Sequence, residues 1–124
     1  MHKVSISGKL ASFHDYWSPK VVGELNNQHV KLVKFQGEFV WHHHDAEDEM
    51  FLVVRGSFRM DFKDPSGAEQ SMDIREGEFV IVPHGTEHRP FAENEVAVML
   101  FEPAGTVNTG SAGGDRTTDA YQRV

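Results

Sequence analysis

The stretch HHHDAEDEMFLVV, residues 42–54, decides the fold class. Its second part, residues 50–54, is apolar at every position, so a strand formed there has no face suited to water. Residues 96–101 show the same pattern further along the chain. Such strands must be covered on both sides, by a second sheet or by another subunit, and a double-layered or closed all-β architecture meets that need. We therefore predict a small all-β barrel.

Most of the remaining chain is patterned with a period of two residues, which favours strands over helices. Phe58, Met60 and Phe62 alternate with polar residues in the clearest half-buried strand. Residues 63–67 then combine Pro and Gly, the residues that favour a tight turn, before another alternating segment around Ile74. This arrangement predicts successive hairpins.

The chain of 124 residues, 39% of them apolar, fits one domain with its own core. We expect residues 1–29 to form an N-terminal strand and an arm packing on the barrel, with one helical turn possible at residues 21–25. Residues 30–103 would form the barrel. Residues 104–124 hold four of the eleven glycines and little apolar surface, so we expect a Gly/Thr-rich tail that is mobile unless a partner orders it.

Composition excludes several classes of function. The formal net charge is −7, with 19 acidic and 12 basic residues, which disfavours binding to a phosphate backbone. The chain has no cysteine, so disulfides and thiolate ligands are excluded. It shows no targeting segment and no apolar run of membrane-spanning length. We expect a cytoplasmic protein that binds neither nucleic acid nor membrane.

The histidines at the start of the quoted stretch predict a metal site. Residues two apart on a strand point the same way, so His42 and His44 share one face and His43 lies on the other. The polar residues that follow can reverse the chain and bring a carboxylate opposite the histidine pair. Spacing alone leaves both Asp48 and Glu49 open as that carboxylate.

A further histidine, His88, follows the Pro-His-Gly turn at residues 83–85. Imidazole and carboxylate together are typical ligands of a divalent transition metal. A chance cluster of surface histidines is the competing interpretation, and the strand, the turn and the distant histidine make it the weaker one. Candidate groups for proton transfer beside the metal are His84, His43 and Asp48, none of which spacing can place.

The chain resembles the small single-domain cupins, whose two sequence motifs it contains. The first motif is matched by Gly37, His42, His44, Glu49 and Gly56, and the second by Gly77, Pro83, Gly85 and His88. The chain departs from the family pattern in two places, since Gly37 stands one residue closer to His42 than usual and Ala92 replaces the usual Asn. The resemblance implies a double-stranded β-helix of the jelly-roll type, selects Glu49 over Asp48, and implies a homodimer.

The resemblance also implies one divalent metal, Fe, Mn, Ni, Zn or Cu, held by His42, His44, Glu49 and His88. Because cupins include oxygenases, isomerases and binding proteins, fold alone does not fix the activity. We expect a metal-dependent enzyme of small-molecule metabolism, either an oxygenase or an isomerase of a sugar or keto compound. The alternative is a non-catalytic module that binds or senses a small ligand. Trp41, predicted on the outer face of its strand, supports the expected homodimer.

Overall fold

The computed structural model describes residues 1–115, 117 and 121–124. These residues form one short helix and eight strands: α1 (Ile6–Leu10), β1 (Lys20–Leu25), β2 (Gln28–Glu38), β3 (Glu49–Arg55), β4 (Ser57–Lys63), β5 (Glu69–Arg75), β6 (Phe79–Val82), β7 (His88–Pro103) and β8 (Gln122–Arg123). The predicted all-β class is confirmed. No helix within the described ranges is long and apolar enough to cross a membrane.

Strand β7, with 16 residues, joins the two layers of the fold. It pairs with β2 in antiparallel fashion from Gln28↔Pro103 to Glu38↔Phe91. Its early residues also pair with β4, and its later residues pair with β3, which carries β6 at its other edge. The strand order β5-β4-β7-β2-β1-β8, with β3 and β6 branching from β7, is that of the predicted double-stranded β-helix.

The interior is filled by apolar side chains from both layers. Phe35, Phe51, Phe58 and Val98 belong to the main cluster, and a second cluster on the outer side of β2 joins Leu32 to the N-terminal arm. The apolar strands are therefore covered unequally. β7 contributes buried side chains to both clusters, whereas the outward side chains of β3 are only half-buried.

The N-terminal arm differs from the prediction in its local structure. The helical turn considered for residues 21–25 is wrong, because those residues lie in β1, which pairs with β2. The two strands are joined at Asn26 and Asn27, whose φ angles of 47° and 65° suit a tight hairpin turn. The helix forms instead at Ile6–Leu10, where the Ser5 hydroxyl accepts a hydrogen bond from the N–H of Gly8.

The described part of the C-terminal tail packs on the strands, in contrast to the predicted mobility. Thr106 and Thr109 are fully buried, and the hydroxyl of Tyr121 donates a hydrogen bond of 2.6 Å to the carbonyl of Thr106. β8 then pairs with β1 in parallel. Backbone and hydroxyl hydrogen bonds, which a count of apolar residues misses, order this segment. Positions 116 and 118–120, to which the prediction also applied, lie outside the described residues.

Candidate metal centre

Four of the sequence-predicted site residues converge inside the barrel. One ligand atom from each of His42, His44, Glu49 and His88 lies within 4.8 Å of the others, and all four side chains are buried. Glu49 is the first residue of β3 and His88 the first of β7, while the two other histidines lie between β2 and β3. Residues distant in sequence thus form one cluster of three nitrogens and one carboxylate oxygen.

Backbone hydrogen bonds hold the histidine segment in place. His42 and His88 form an isolated antiparallel bridge, in which each N–H donates to the other's carbonyl, at 3.1 and 2.9 Å. Gly85 N–H donates to the carbonyl of His44 at 2.7 Å. The segment is therefore not a continuous strand, yet His42 and His44 point inward and His43 points outward, as the alternation predicts.

The hydrogen bonds of the imidazoles leave their inner nitrogens free for a ligand. Nδ1 of His42 lies 2.9 Å from the Val40 carbonyl, and Nδ1 of His88 lies 2.8 Å from the Thr86 carbonyl. Each Nδ1 must carry the proton that it donates, so Nε2 keeps its lone pair in the neutral ring.

Three of the converging atoms have no hydrogen-bond partner among the described residues: His44 Nε2, His88 Nε2 and Glu49 Oε1. The two nitrogens lie 3.3 and 3.6 Å from that oxygen. Leaving buried polar atoms unpaired costs about 1–3 kcal/mol for each group. A cation among them would satisfy all three, so the donor set fits a bound metal.

Burial and mutual charge set the protonation of the cluster. Burial, reinforced by the neighbouring His88, lowers the pKa of His42 to about 3. Burial also opposes the charged form of His44, but the Glu49 carboxylate outweighs it and raises the His44 pKa. Burial would raise the pKa of Glu49, yet its contacts with Glu102, His44 and His88 hold it well below its usual range. The cluster therefore retains an anionic carboxylate.

A small cavity of about 30 Å³ adjoins the cluster. The cavity has room for water-sized ligands. Its lining is mainly aromatic and aliphatic: Trp17, Pro19, Val33, Phe35, Phe39, His42, Glu49, Phe51, Pro90, Leu100 and Asn108. Of these side chains, only His42 and Glu49 are ionisable, and Asn108 adds an amide. The site is thus a largely apolar chamber with polar groups at one side.

The structure places the candidate proton-transfer residues away from the cavity. Asp48 and His84 pair with each other on the surface, with 2.9 Å between Oδ1 and Nδ1. His43 faces outward and contacts Glu87 and Asp45. Of the two carboxylates that spacing left open, Glu49 is therefore the one inside.

Sequence reasoning missed a buried pair and the contribution of the tail. Lys31 lies on the same face of β2 as the buried Val33 and Phe35, because these residues are two apart in sequence. This spacing predicts that the lysine side chain points inward. It pairs with Glu102. In the tail, a Cβ added to Gly110 would overlap the carbonyl oxygen of His43, so only glycine fits beside the histidine segment.

Comparison with known proteins assigns the family. The sequence profile of the cupin domain family matches residues 29–102, more than half of the chain. The chain belongs to the cupin domain family. The resemblance carried by the two motifs is thereby confirmed. Ala92, which stands where the family pattern usually has Asn, is buried in the main core cluster.

Three known proteins show the range of the relationship. A cupin-2 domain protein of known structure from Shewanella frigidimarina is 39% identical, with a TM-score of 0.75 over 81% of this cupin and 93% of that chain. Uncharacterized protein YdbB of Bacillus subtilis (strain 168) is 37% identical over 68 residues, 55% of this cupin and 57% of YdbB. Hydroquinone 1,2-dioxygenase PnpCD, solved with Fe3+, has a TM-score of 0.74 at 20% identity, over 84% of this cupin and 33% of that chain, and shows the fold alone.

The burial of His42 predicts acid sensitivity of the metal-free cupin. The folded pKa of about 3 lies below the unfolded value of about 6.5, so as pH falls below the latter only the unfolded chain gains this proton. The contribution of His42 to stability is present above the unfolded pKa of about 6.5. It is lost progressively as the pH falls toward the folded pKa of about 3. Urea unfolding of chelator-treated protein should show the wild type losing about 1–2 kcal/mol more than His42→Gln between about pH 7.5 and pH 5. Equal losses would contradict this assignment.

Proposed function

We propose that this cupin binds one divalent transition metal through His42, His44, Glu49 and His88. The proposal is supported by the three buried, converging atoms that receive no hydrogen bond from the described part of the chain. Three nitrogens and one oxygen favour Fe, Mn, Ni, Zn or Cu over the oxygen-preferring Mg and Ca. A metal of this set supplies Lewis acidity to an oxygen-bearing substrate and, where it is redox-active, electron transfer to dioxygen.

We further propose that the cupin is a metal-dependent oxygenase acting on a small substrate with a mainly apolar body. The apolar and aromatic lining of the cavity carries this proposal. A sugar would need several hydrogen-bond partners for its hydroxyls, and isomerisation would need a group that moves a proton. Among the lining residues, the only polar side chain that is neither a proposed ligand nor a tryptophan is Asn108. These features disfavour the sugar or keto isomerase.

The residues around the cavity would exclude water and orient the substrate. Phe35, Phe39 and Phe51 would supply aromatic walls, and the Asn108 amide would contact a polar substituent. The cavity volume of about 30 Å³ is too small for a ring, so binding requires side chains to move. Five of the lining residues lie outside the strands: Trp17, Pro19, Phe39, His42 and Asn108.

A non-catalytic binding module is the second candidate. The observation that favours it is the location of His43, Asp48 and His84, which all lie outside the cavity lining. A protein that only holds or senses a ligand needs no group for proton transfer. Oxygen consumption separates this candidate from the oxygenase.

Oxygen uptake by the iron-loaded cupin tests the proposed function. The protein should bind close to one Fe(II) per chain and consume oxygen with at least one of hydroquinone, catechol, a thiol or a keto acid. His88→Ala should lose both metal and uptake, because the substitution removes a ligand from a folded β protein. His43→Ala is the matched control and should keep both, since its ring points outward. Stoichiometric iron without uptake for any substrate class would favour the binding module.

We also propose that this cupin forms a homodimer through the outer face of β3 and β6. Trp41, expected to be exposed, is instead half-buried, with Lys63 and Arg89 over its ring at 5.3 and 4.8 Å. The apolar surface lies elsewhere, on Phe79 and Ile81, which are 59% and 55% exposed. Strand register sets these two beside the half-buried Leu52 and Met50, so the four side chains share one face. A second copy of the chain would cover them.

Sedimentation at micromolar concentration tests the proposed dimer. The wild type should sediment at twice the 14.0 kDa mass of one chain, and Ile81→Asp should sediment as a monomer, because a charge in the interface would have to be buried unpaired. Met72→Asp is the control, since Met72 is also an exposed apolar residue but lies on β5. A wild-type monomer, or equal effects of the two substitutions, would count against this interface.

A further inference from the structure

A buried lysine–glutamate pair lies inside the barrel beside the candidate metal centre. Lys31 on β2 and Glu102 on β7 are 0% and 1% exposed, and Nζ of the lysine donates to Oε1 of the glutamate at 2.8 Å. The ring of Tyr121, from the C-terminal tail, covers the ammonium at 3.5 Å from its centroid. The pair is therefore sealed from water by the tail.

Stability alone does not explain this pair. Removing an ionised side chain from water costs several kcal/mol, and a well-packed apolar pair of similar size is often as stable or more stable. The surrounding side chains on the same faces, Val33, Val98 and Leu100, are all apolar. A buried lysine and glutamate among them indicate a role that an apolar pair cannot fill.

The pair continues to a proposed metal ligand. Glu49 and Glu102 are neighbours across β3 and β7, one residue beyond the paired Met50 and Phe101, and both side chains are buried. Glu102 thus pairs with Lys31 and lies beside Glu49. Oε1 of Glu49 remains without a hydrogen bond from the described residues and lies beside the inner nitrogens of His44 and His88.

We propose that Glu102 is a positioning residue for Glu49, and that Lys31 holds Glu102 in the required orientation. A carboxylate on a flexible side chain can turn, and a partner behind it fixes which oxygen faces the metal. Both positioning groups come from strands that frame the interior, so the orientation is set by the sheet. The inference rests on the proposed metal site and is independent of the oxygenase activity.

Cobalt(II) titration of full-length variants tests this role, with affinity and the visible spectrum of the bound ion as readouts. In the double variant Lys31→Met with Glu102→Leu, which leaves no unpaired charge, we expect affinity to fall about 10- to 100-fold and the spectrum to change. Glu102→Gln can still contact both neighbours, so its affinity should stay within a few-fold of the wild type. A purely structural role would alter the melting temperature without altering the spectrum.

Lys34→Met is the matched control. Lys34 is also a buried lysine of β2, but its ammonium donates to the carbonyls of Leu10 and Phe13, on the side of the second core cluster. This variant should lower the melting temperature and leave cobalt affinity unchanged. An equal loss of affinity in Lys34→Met would attribute the effect to general destabilisation and overturn the proposal.

Two further outcomes would overturn it: wild-type affinity and spectrum in the double variant, or a loss in Glu102→Gln as large as in the double variant. If the double variant does not fold, Glu102→Asp is tested by the same cobalt titration. Its shorter side chain should weaken cobalt binding at least tenfold, and unchanged affinity would overturn the proposal. A wild type that binds no cobalt removes the metal site and this inference together. A wild type that binds cobalt but consumes no oxygen as the iron form counts against the oxygenase only.

Discussion

The interior of this cupin is organised around four buried side chains whose inner atoms are not all satisfied by the described residues. His44, His88 and Glu49 each present such an atom to a common point within the described structure. Unpaired buried polar atoms are costly, so the strands and the backbone hydrogen bonds must hold these side chains together. The length of β7 is central, since it supplies His88 and also pairs with β2, β3 and β4.

The surroundings of the cluster determine what chemistry the site can support. Phe35, Phe39 and Phe51 make the adjoining chamber apolar, while the Lys31–Glu102 pair lies on the carboxylate side. A low-polarity chamber strengthens electrostatic interactions and keeps water out. The described lining residues include no further titratable group. Because isomerisation needs a group that moves a proton, the chamber favours the proposed oxygenase over the isomerase.

Local patterns predicted the strands, and the resemblance grouped Glu49 and His88 with the two inward histidines, but neither revealed the buried Lys31–Glu102 pair. The alternation of apolar residues predicted β4 and the apolar run predicted β3, because both depend on adjacent residues. The Lys31–Glu102 contact joins residues 71 positions apart, so no local pattern reports it. Burial of Thr109 in the tail depends on hydrogen bonds rather than on apolar content. Metal binding by the four residues remains a proposal.

Metal binding at this cluster is tested most directly by anomalous diffraction from crystals of the cupin loaded with a single transition metal, collected on both sides of that metal's absorption edge. We expect one strong peak inside the barrel, within bonding distance of His42, His44, Glu49 and His88. A peak at the surface pair Asp48 and His84, with none at the interior cluster, would contradict it.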